Sequence, residues 1–211
     1  MGEAGHDDPV RTTVVAGSYA AAIEFGQRQP SVADGRYQAA CPRERALLKV
    51  VHAKALSAAG QRRESARALL IAEEDLAAAT NADDEPSRVF FFAEASLAHE
   101  TACALRDSGD LTGAAEQFRL SAAKRTVKAF KRTHAVTLGY LGTVQARRGE
   151  LEQACATWTV ALGAMEGVRS GRTRDITRDI RGIVAPYVGQ QIAGVREIDE
   201  RAADYLAADG K

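Results

Sequence analysis

The residues of this chain best suited to chemistry stand in the run HETAC, residues 99 to 103. His99 and Cys103 are four apart with Glu100 between them, so on a helix an imidazole and a thiol share one face. The arrangement echoes the HExxH helix of zinc proteases, where two side chains at this spacing hold the metal and a glutamate acts as base. A zinc site needs at least a third protein ligand, and the sequence suggests none. Contact with a ligand and simple packing both remain open for His99.

A second run, ARRGELEQACATW at residues 146 to 158, sets a thiol and an indole side by side. A cysteine acts as a nucleophile only when something stabilises its thiolate. No histidine lies within a helical turn of Cys155, so Cys155 and Trp158 read as packing residues, the cysteine behaving as a small hydrophobe. No glycine-rich phosphate loop, hydrolase elbow or paired-carboxylate motif occurs. An enzyme is therefore not expected, and neither is a metal or a cofactor.

The elements that carry these residues follow from composition and self-similarity. Of 211 residues 42 are alanine and only 6% are aromatic, which favours closely packed helices over a large sheet. An all-α fold is expected. Three windows align on a glycine: ALSAAGQRRESARALLIA, ALRDSGDLTGAAEQFRLS and VQARRGELEQACATWTVA. From Gly60, Gly109 and Gly149, the fifth residue onward is small (Ser65, Ala114, Ala154) and the ninth is bulky (Leu69, Phe118, Trp158). The twelfth is small again (Ala72, Ser121, Ala161). These spacings lie along one helix face, so each window reads as a helix, a tight turn and a second helix.

The pattern resembles the tetratricopeptide repeat, a helical hairpin of 34 residues marked by a turn glycine, small residues and one aromatic in its second helix. On that frame the units run 46–79, 95–128 and 135–168. More specifically, VFFFAEASLAHETACALRDSGDLTGAAEQF, THAVTLGYLGTVQARRGELEQACATWTVAL and RDIRGIVAPY resemble the repeat tails of bacterial helix-turn-helix transcriptional regulators of the XRE type. That likeness spans roughly residues 43 to 187. No helix-turn-helix is recognisable before the first unit, so direct nucleic-acid binding is not expected. The resemblance implies a right-handed superhelical array whose first helices line a concave groove. Its groove positions fall on Lys54, Ser96, His99, Cys103, Arg106, Thr143 and Arg147. It also implies a protein or peptide partner and a role in transcription or signalling. The cations among these positions favour an acidic ligand, because arginine grips a carboxylate through two parallel hydrogen bonds.

Boundaries come from capping chemistry. Pro42 and Pro86 each suit the first turn of a helix, where a missing N–H costs nothing, and the acids in NADDE suit the start of the second. After the third unit EGVRSG reads as a loop, RTRDITRDIRGIVA as a helix stopped by Pro186, and VREIDERAADYLAA as a terminal helix. Together residues 172–208 are expected to cap the array, whose last repeat otherwise ends in an open apolar face. Upstream, VVAGSYAAAIEFGQ reads as a helix, SVADGRYQAA as a turn-rich connector, and residues 1–10 as a disordered tail. Residues 11–211 are thus read as one domain.

Charge is balanced overall, with 28 basic and 28 acidic side chains, so no net field draws the molecule to nucleic acid or membrane. Locally it is segregated. Residues 117 to 149 carry eight basic groups and no acid, among them Arg119, Lys124, Arg125, Lys128, Lys131 and Arg132. Lys124, Lys128 and Arg132 recur every four residues, which on one helix makes a basic face and the alternative, nucleic-acid reading of function. Residues 73 to 85 hold six acids and no base. Cys41, Cys103 and Cys155 fit neither a disulfide framework nor a zinc spacing. With no secretory signal and no apolar run long enough to span a bilayer, a cytoplasmic protein is expected, a homo-oligomer being compatible with everything above.

Overall fold

The computed structural model describes residues 40–79, 89–168 and 170–208. Among these residues all regular structure is helical and no strand occurs. In the described residues eight α-helices follow one another: α1 (Pro42–Ala58), α2 (Arg62–Ala77), α3 (Glu94–Ser108), α4 (Leu111–Lys124), α5 (Lys131–Arg147), α6 (Leu151–Met165), α7 (Gly171–Val184) and α8 (Val195–Ala208). A 3-10 turn, Ala185–Tyr187, extends α7. The helices group into two compact units divided after Ala93, the first holding α1 and α2 and the second α3 to α8.

Three turns of one design close the pairs α1–α2, α3–α4 and α5–α6. Gly60, Gly109 and Gly149 have φ of 75°, 89° and 83°, a region open to glycine but costly for any residue with a Cβ. The residue after each glycine sends its N–H back to a carbonyl of the finished helix: Gln61 to Leu56 at 2.9 Å, Asp110 to Leu105 at 2.9 Å, Glu150 to Gln145 at 3.0 Å. That bond satisfies a carbonyl which the helix end leaves without a partner. All nine small and bulky positions counted from the glycines are buried. The repeated spacing is therefore the packing code of a helical hairpin.

Each pair adds its own lock. In the first, Pro42 opens α1, and Glu44 accepts from the Cys41 N–H at 3.2 Å. Ser65 donates to Ala53 O at 2.8 Å, so the 2.7 Å bond with Ser57 has Ser57 as donor. Arg45 reaches across to Asp75 at 2.8 Å. In the second pair the Ser121 hydroxyl donates to Ala95 O at 2.6 Å. In the third, the fully buried Trp158 lies over glycines of α5 and donates from Nε1 to Gly139 O at 3.1 Å. A Cβ on Gly142 would stand 2.4 Å from Trp158 Nε1, and one on Gly139 would stand 2.6 Å from Ile176 Cγ2. Only glycine lets α6 and α7 lie this close to α5.

The last two helices complete the second unit. Ile176, Ile180 and Val184 of α7 and Val195, Ile198 and Ala202 of α8 join Trp158, Leu162 and Met165 in one core, so they cover the apolar face of the third pair. Arg181 and Asp199 tie α7 to α8 at 2.9 Å.

Pro86 lies outside the described residues, as do residues 1–39, which include the tail, the upstream helix and most of the connector read from the sequence. The first α-helix described after Pro86, α3, opens at Glu94. Ahead of it, residues 89–93 form a turn in which Phe92 N–H bonds Val89 O at 2.9 Å and Arg43 donates to Phe92 O at 2.7 Å. Three consecutive phenylalanines put one ring inside and two outside. Phe92 is buried, while Phe90 and Phe91 are exposed and meet edge to face.

Candidate functional site

The sequence-derived groove residues divide between the two units. Lys54 belongs to α1 of the first unit, where it is half-buried. Ser96, His99, Cys103 and Arg106 lie on α3 and Thr143 and Arg147 on α5, both in the second unit. These two helices are joined where His99 and Arg106 meet Thr137 and Tyr140, two side chains of α5 that are not among the groove positions.

His99 is 5% exposed. Its Nδ1 stands 2.9 Å from Thr137 Oγ1, and because that hydroxyl donates its only hydrogen to Thr133 O at 2.8 Å, the imidazole must carry the proton on Nδ1. The ring stacks on Tyr140 with centroids 5.9 Å apart and meets Phe118 edge-on at 5.6 Å. Cys103 is 4% exposed and sits in the core formed by Phe118, Leu141 and Val144. His99 and Cys103 are thus interior residues joining two helical pairs, rather than exposed contacts on a concave surface. Among the described residues no cluster of three histidine, cysteine or acidic side chains is placed to hold a metal.

One turn further along α3 the surface opens. The Arg106 guanidinium lies over the Tyr140 ring at 5.1 Å and bonds Asp107 at 2.8 Å. Burial opposes its charge, but the Asp107 hydrogen bond and the neighbouring Cys103, Asp107 and Tyr140 outweigh that and raise its pKa. Thr143 and Arg147 follow Tyr140 on α5 at three and seven residues, so they continue the same face. Thr143 is half-buried, its hydroxyl turned back on Gly139 O at 3.2 Å, and Arg147 is exposed. Ser96 is half-buried near the start of α3. Ser96, Arg106, Thr143 and Arg147 are therefore the groove residues that remain at least partly at a surface within this unit, the last three on the face that runs from Arg106 along α5.

The basic face is corrected in two ways. Helix α4 ends at Lys124 and α5 begins at Lys131, so Lys124, Lys128 and Arg132 do not line one helix. Arg125 turns inward. It is 7% exposed, and its Nη2 donates to Ala95 O at 2.8 Å and Ser121 Oγ at 3.2 Å, securing the end of α4 to the start of α3. Burial lowers its pKa, against which Glu100 acts in its favour. Lys124 pairs with Glu94 at 2.9 Å, and Lys131 donates to Glu166 O at 2.7 Å at the end of α6. Arg119, Lys128 and Arg132 remain exposed. The stretch free of acids in sequence is not free of them in space.

Cys155 is buried against Trp158, and burial, with Glu152 nearby, pushes its thiol pKa up, away from nucleophilic use. A shallow cleft of about 470 Å³ opens between the end of α6 and α8, floored by Leu162 and edged by Glu166, Arg201, Asp204 and Tyr205. The Tyr205 hydroxyl lies 2.8 Å from both Val168 O and Thr173 Oγ1, holding the loop before α7 against α8. No sequence signal pointed to Thr137 or Tyr140. Each becomes visible only by asking what stands opposite His99 on the next first helix.

Comparison with family models, with curated proteins and with solved structures finds no match. The fold is an all-α assembly of paired helices, of the general helical-repeat kind. No helix of the described residues is long and apolar enough to cross a membrane.

Proposed function

We propose that the chain is a non-enzymatic binding module of the tetratricopeptide type, working in a cytoplasmic, regulatory setting and taking an acidic segment of a protein partner. The observation that carries this reading is Arg106 over Tyr140, with Thr143 and Arg147 continuing along the face of α5. Seven residues of helix separate Tyr140 from Arg147, about 10 Å, which spaces the two guanidinium groups for carboxylates a few residues apart on an extended peptide. Arg106 is held by its stacking and by Asp107, so less side-chain freedom is lost when a ligand binds there. A carboxylate from the ligand displaces Asp107 or bridges beside it.

The packed state of His99, its Nδ1 occupied by Thr137, supports binding over catalysis, as does the raised thiol pKa of Cys155. Contact with nucleic acid through Arg119, Lys128 and Arg132 is the weaker alternative, since Arg125 is withdrawn and Lys124 and Lys131 are engaged. The test is selection of random peptides displayed on phage against the immobilised chain. Enrichment of aspartate and glutamate, lost in an Arg106→Ala/Arg147→Ala variant that melts like the parent, is the expected result. Enrichment of apolar or basic peptides, or acidic peptides retained by the double variant, removes this surface from consideration.

A further inference from the structure

Asp107 stands where helix physics disfavours an acid. It is the next-to-last residue of α3, and the C-terminal end of a helix carries the negative pole of its dipole, so a carboxylate there opposes the helix while Arg106 supports it. Nor does Asp107 fill the core, since its side chain is 35% exposed. What it does is hold one edge of Arg106. Asp107 Oδ1 accepts from Arg106 Nε at 2.8 Å, while the guanidinium lies over the Tyr140 ring, 5.1 Å from its centre.

A guanidinium carries five N–H donors, one on Nε and four on the two Nη atoms. It can meet a carboxylate along the side edge, through Nε, or along the end edge, through both Nη atoms. Asp107 occupies the side edge. Nη1 and Nη2 of Arg106 make no hydrogen bond among the described residues. With one face on Tyr140 and the Nε edge taken, the end edge is the one that Arg106 has to offer, and its side chain is still 24% exposed.

We propose that Asp107 is a positioning residue for the ligand, an inference that rests on reading this surface as a site for acidic segments: Asp107 stays on Nε during binding and directs the Nη1–Nη2 edge of Arg106 to the ligand carboxylate. The carboxylate does not need Nε, and Asp107, the next residue of the same chain, is always at hand to hold it. Fixing the guanidinium beforehand reduces the freedom lost on binding, which offsets the repulsion between Asp107 and an acidic ligand. The two effects have opposite signs. Were Asp107 only a charge, its removal would tighten the binding of an acid; as a positioning residue, its removal weakens it.

The probe is a fluorescein-labelled peptide with two glutamates three residues apart among glycines and serines, a span of about 10 Å when extended, read by fluorescence anisotropy on the full chain. Asp107→Ala should weaken binding about fivefold, the loss expected when one long side chain is no longer held in advance. Asp107→Asn keeps an oxygen for Nε and drops the charge, so it should bind at least as tightly as the parent. Both variants should melt like the parent, since neither removes a buried group. The Arg106 Nε–H resonance, identified by its absence in Arg106→Lys, gives a readout without ligand: slow solvent exchange in the parent and in Asp107→Asn, fast exchange in Asp107→Ala. Unchanged or tighter binding by Asp107→Ala, with binding still abolished by Arg106→Ala, overturns the proposal and leaves the acidic-segment reading standing. Equal weakening in Asp107→Asn, or an Nε–H that exchanges equally fast in all three proteins, also overturns it. A parent that does not bind the peptide removes the acidic-segment reading and this proposal with it.

Discussion

Replacing Gly142 with alanine separates helix propensity from packing. In an open helix the change stabilises by about 1 kcal/mol, because glycine is the poorer helix former. Here the added Cβ would lie 2.4, 2.5 and 2.8 Å from Nε1, Cδ1 and Cε2 of Trp158, where ordinary carbon contacts need about 3.5 to 4.0 Å. The indole is rigid and fully buried, so relief requires the ring to move by roughly 1 Å. Moving it breaks the 3.1 Å bond to Gly139 O, a loss of about 1 kcal/mol, and overpacking adds about 1 to 3 kcal/mol. After the propensity gain, a net destabilisation of about 1 to 3 kcal/mol remains. Gly182, exposed in α7 with nothing within 4 Å of its would-be Cβ, is the matched control and should gain about 0.5 to 1 kcal/mol. Trp158 is the single tryptophan, so its fluorescence in a urea titration reports the second unit directly. The slope of free energy against urea should stay constant while the midpoints move in opposite directions. If Gly142→Ala raises the midpoint as Gly182→Ala does, the indole is not seated on α5 and the packing of the third pair is misread.

Truncating the buried ring itself, Trp158→Ala, should cost about 3 to 5 kcal/mol, read by circular dichroism since the fluorophore is gone. Arg125→Ala removes both Nη2 bonds and should cost about 1 to 3 kcal/mol in thermal or urea melts, whereas a solvated cation would cost almost nothing. Burial, and then the charge of Arg125, lower the pKa of His134. The unfolded chain therefore takes up this proton first, and stability present above about pH 6.5 is lost as pH falls toward the folded value. His134→Gln should flatten that part of the stability profile, measured by urea midpoints from pH 7.5 to 5.

The hairpins were legible in the sequence because they depend on contacts close along the chain. A glycine with positive φ, small residues five and twelve later and a bulky one at nine are local requirements, and Ser65, Phe118 and Trp158 met them where expected. The helix α8, read from VREIDERAADYLAA, spans Val195–Ala208 for the same reason. Pro86 lies outside the described residues, and the next α-helix described, α3, opens at Glu94 after a turn in which Phe92 N–H bonds Val89 O.

What the sequence determined was each pair; what the tertiary structure decided was which polar residues the next pair would cover. His99, Cys103 and Arg106 share a face of α3, and nothing on that helix distinguishes the two buried residues from the one at the surface. Thr137 and Tyr140, roughly forty residues away, make the distinction by closing over His99 and leaving Arg106 stacked at the edge. Arg125 was drawn inward by carbonyl and hydroxyl acceptors at Ala95 and Ser121 that only the folded α3–α4 pair brings together. Polarity alone cannot place such a group, because a buried charge is tolerated wherever fixed dipoles replace its water, and those dipoles exist only once the chain has folded.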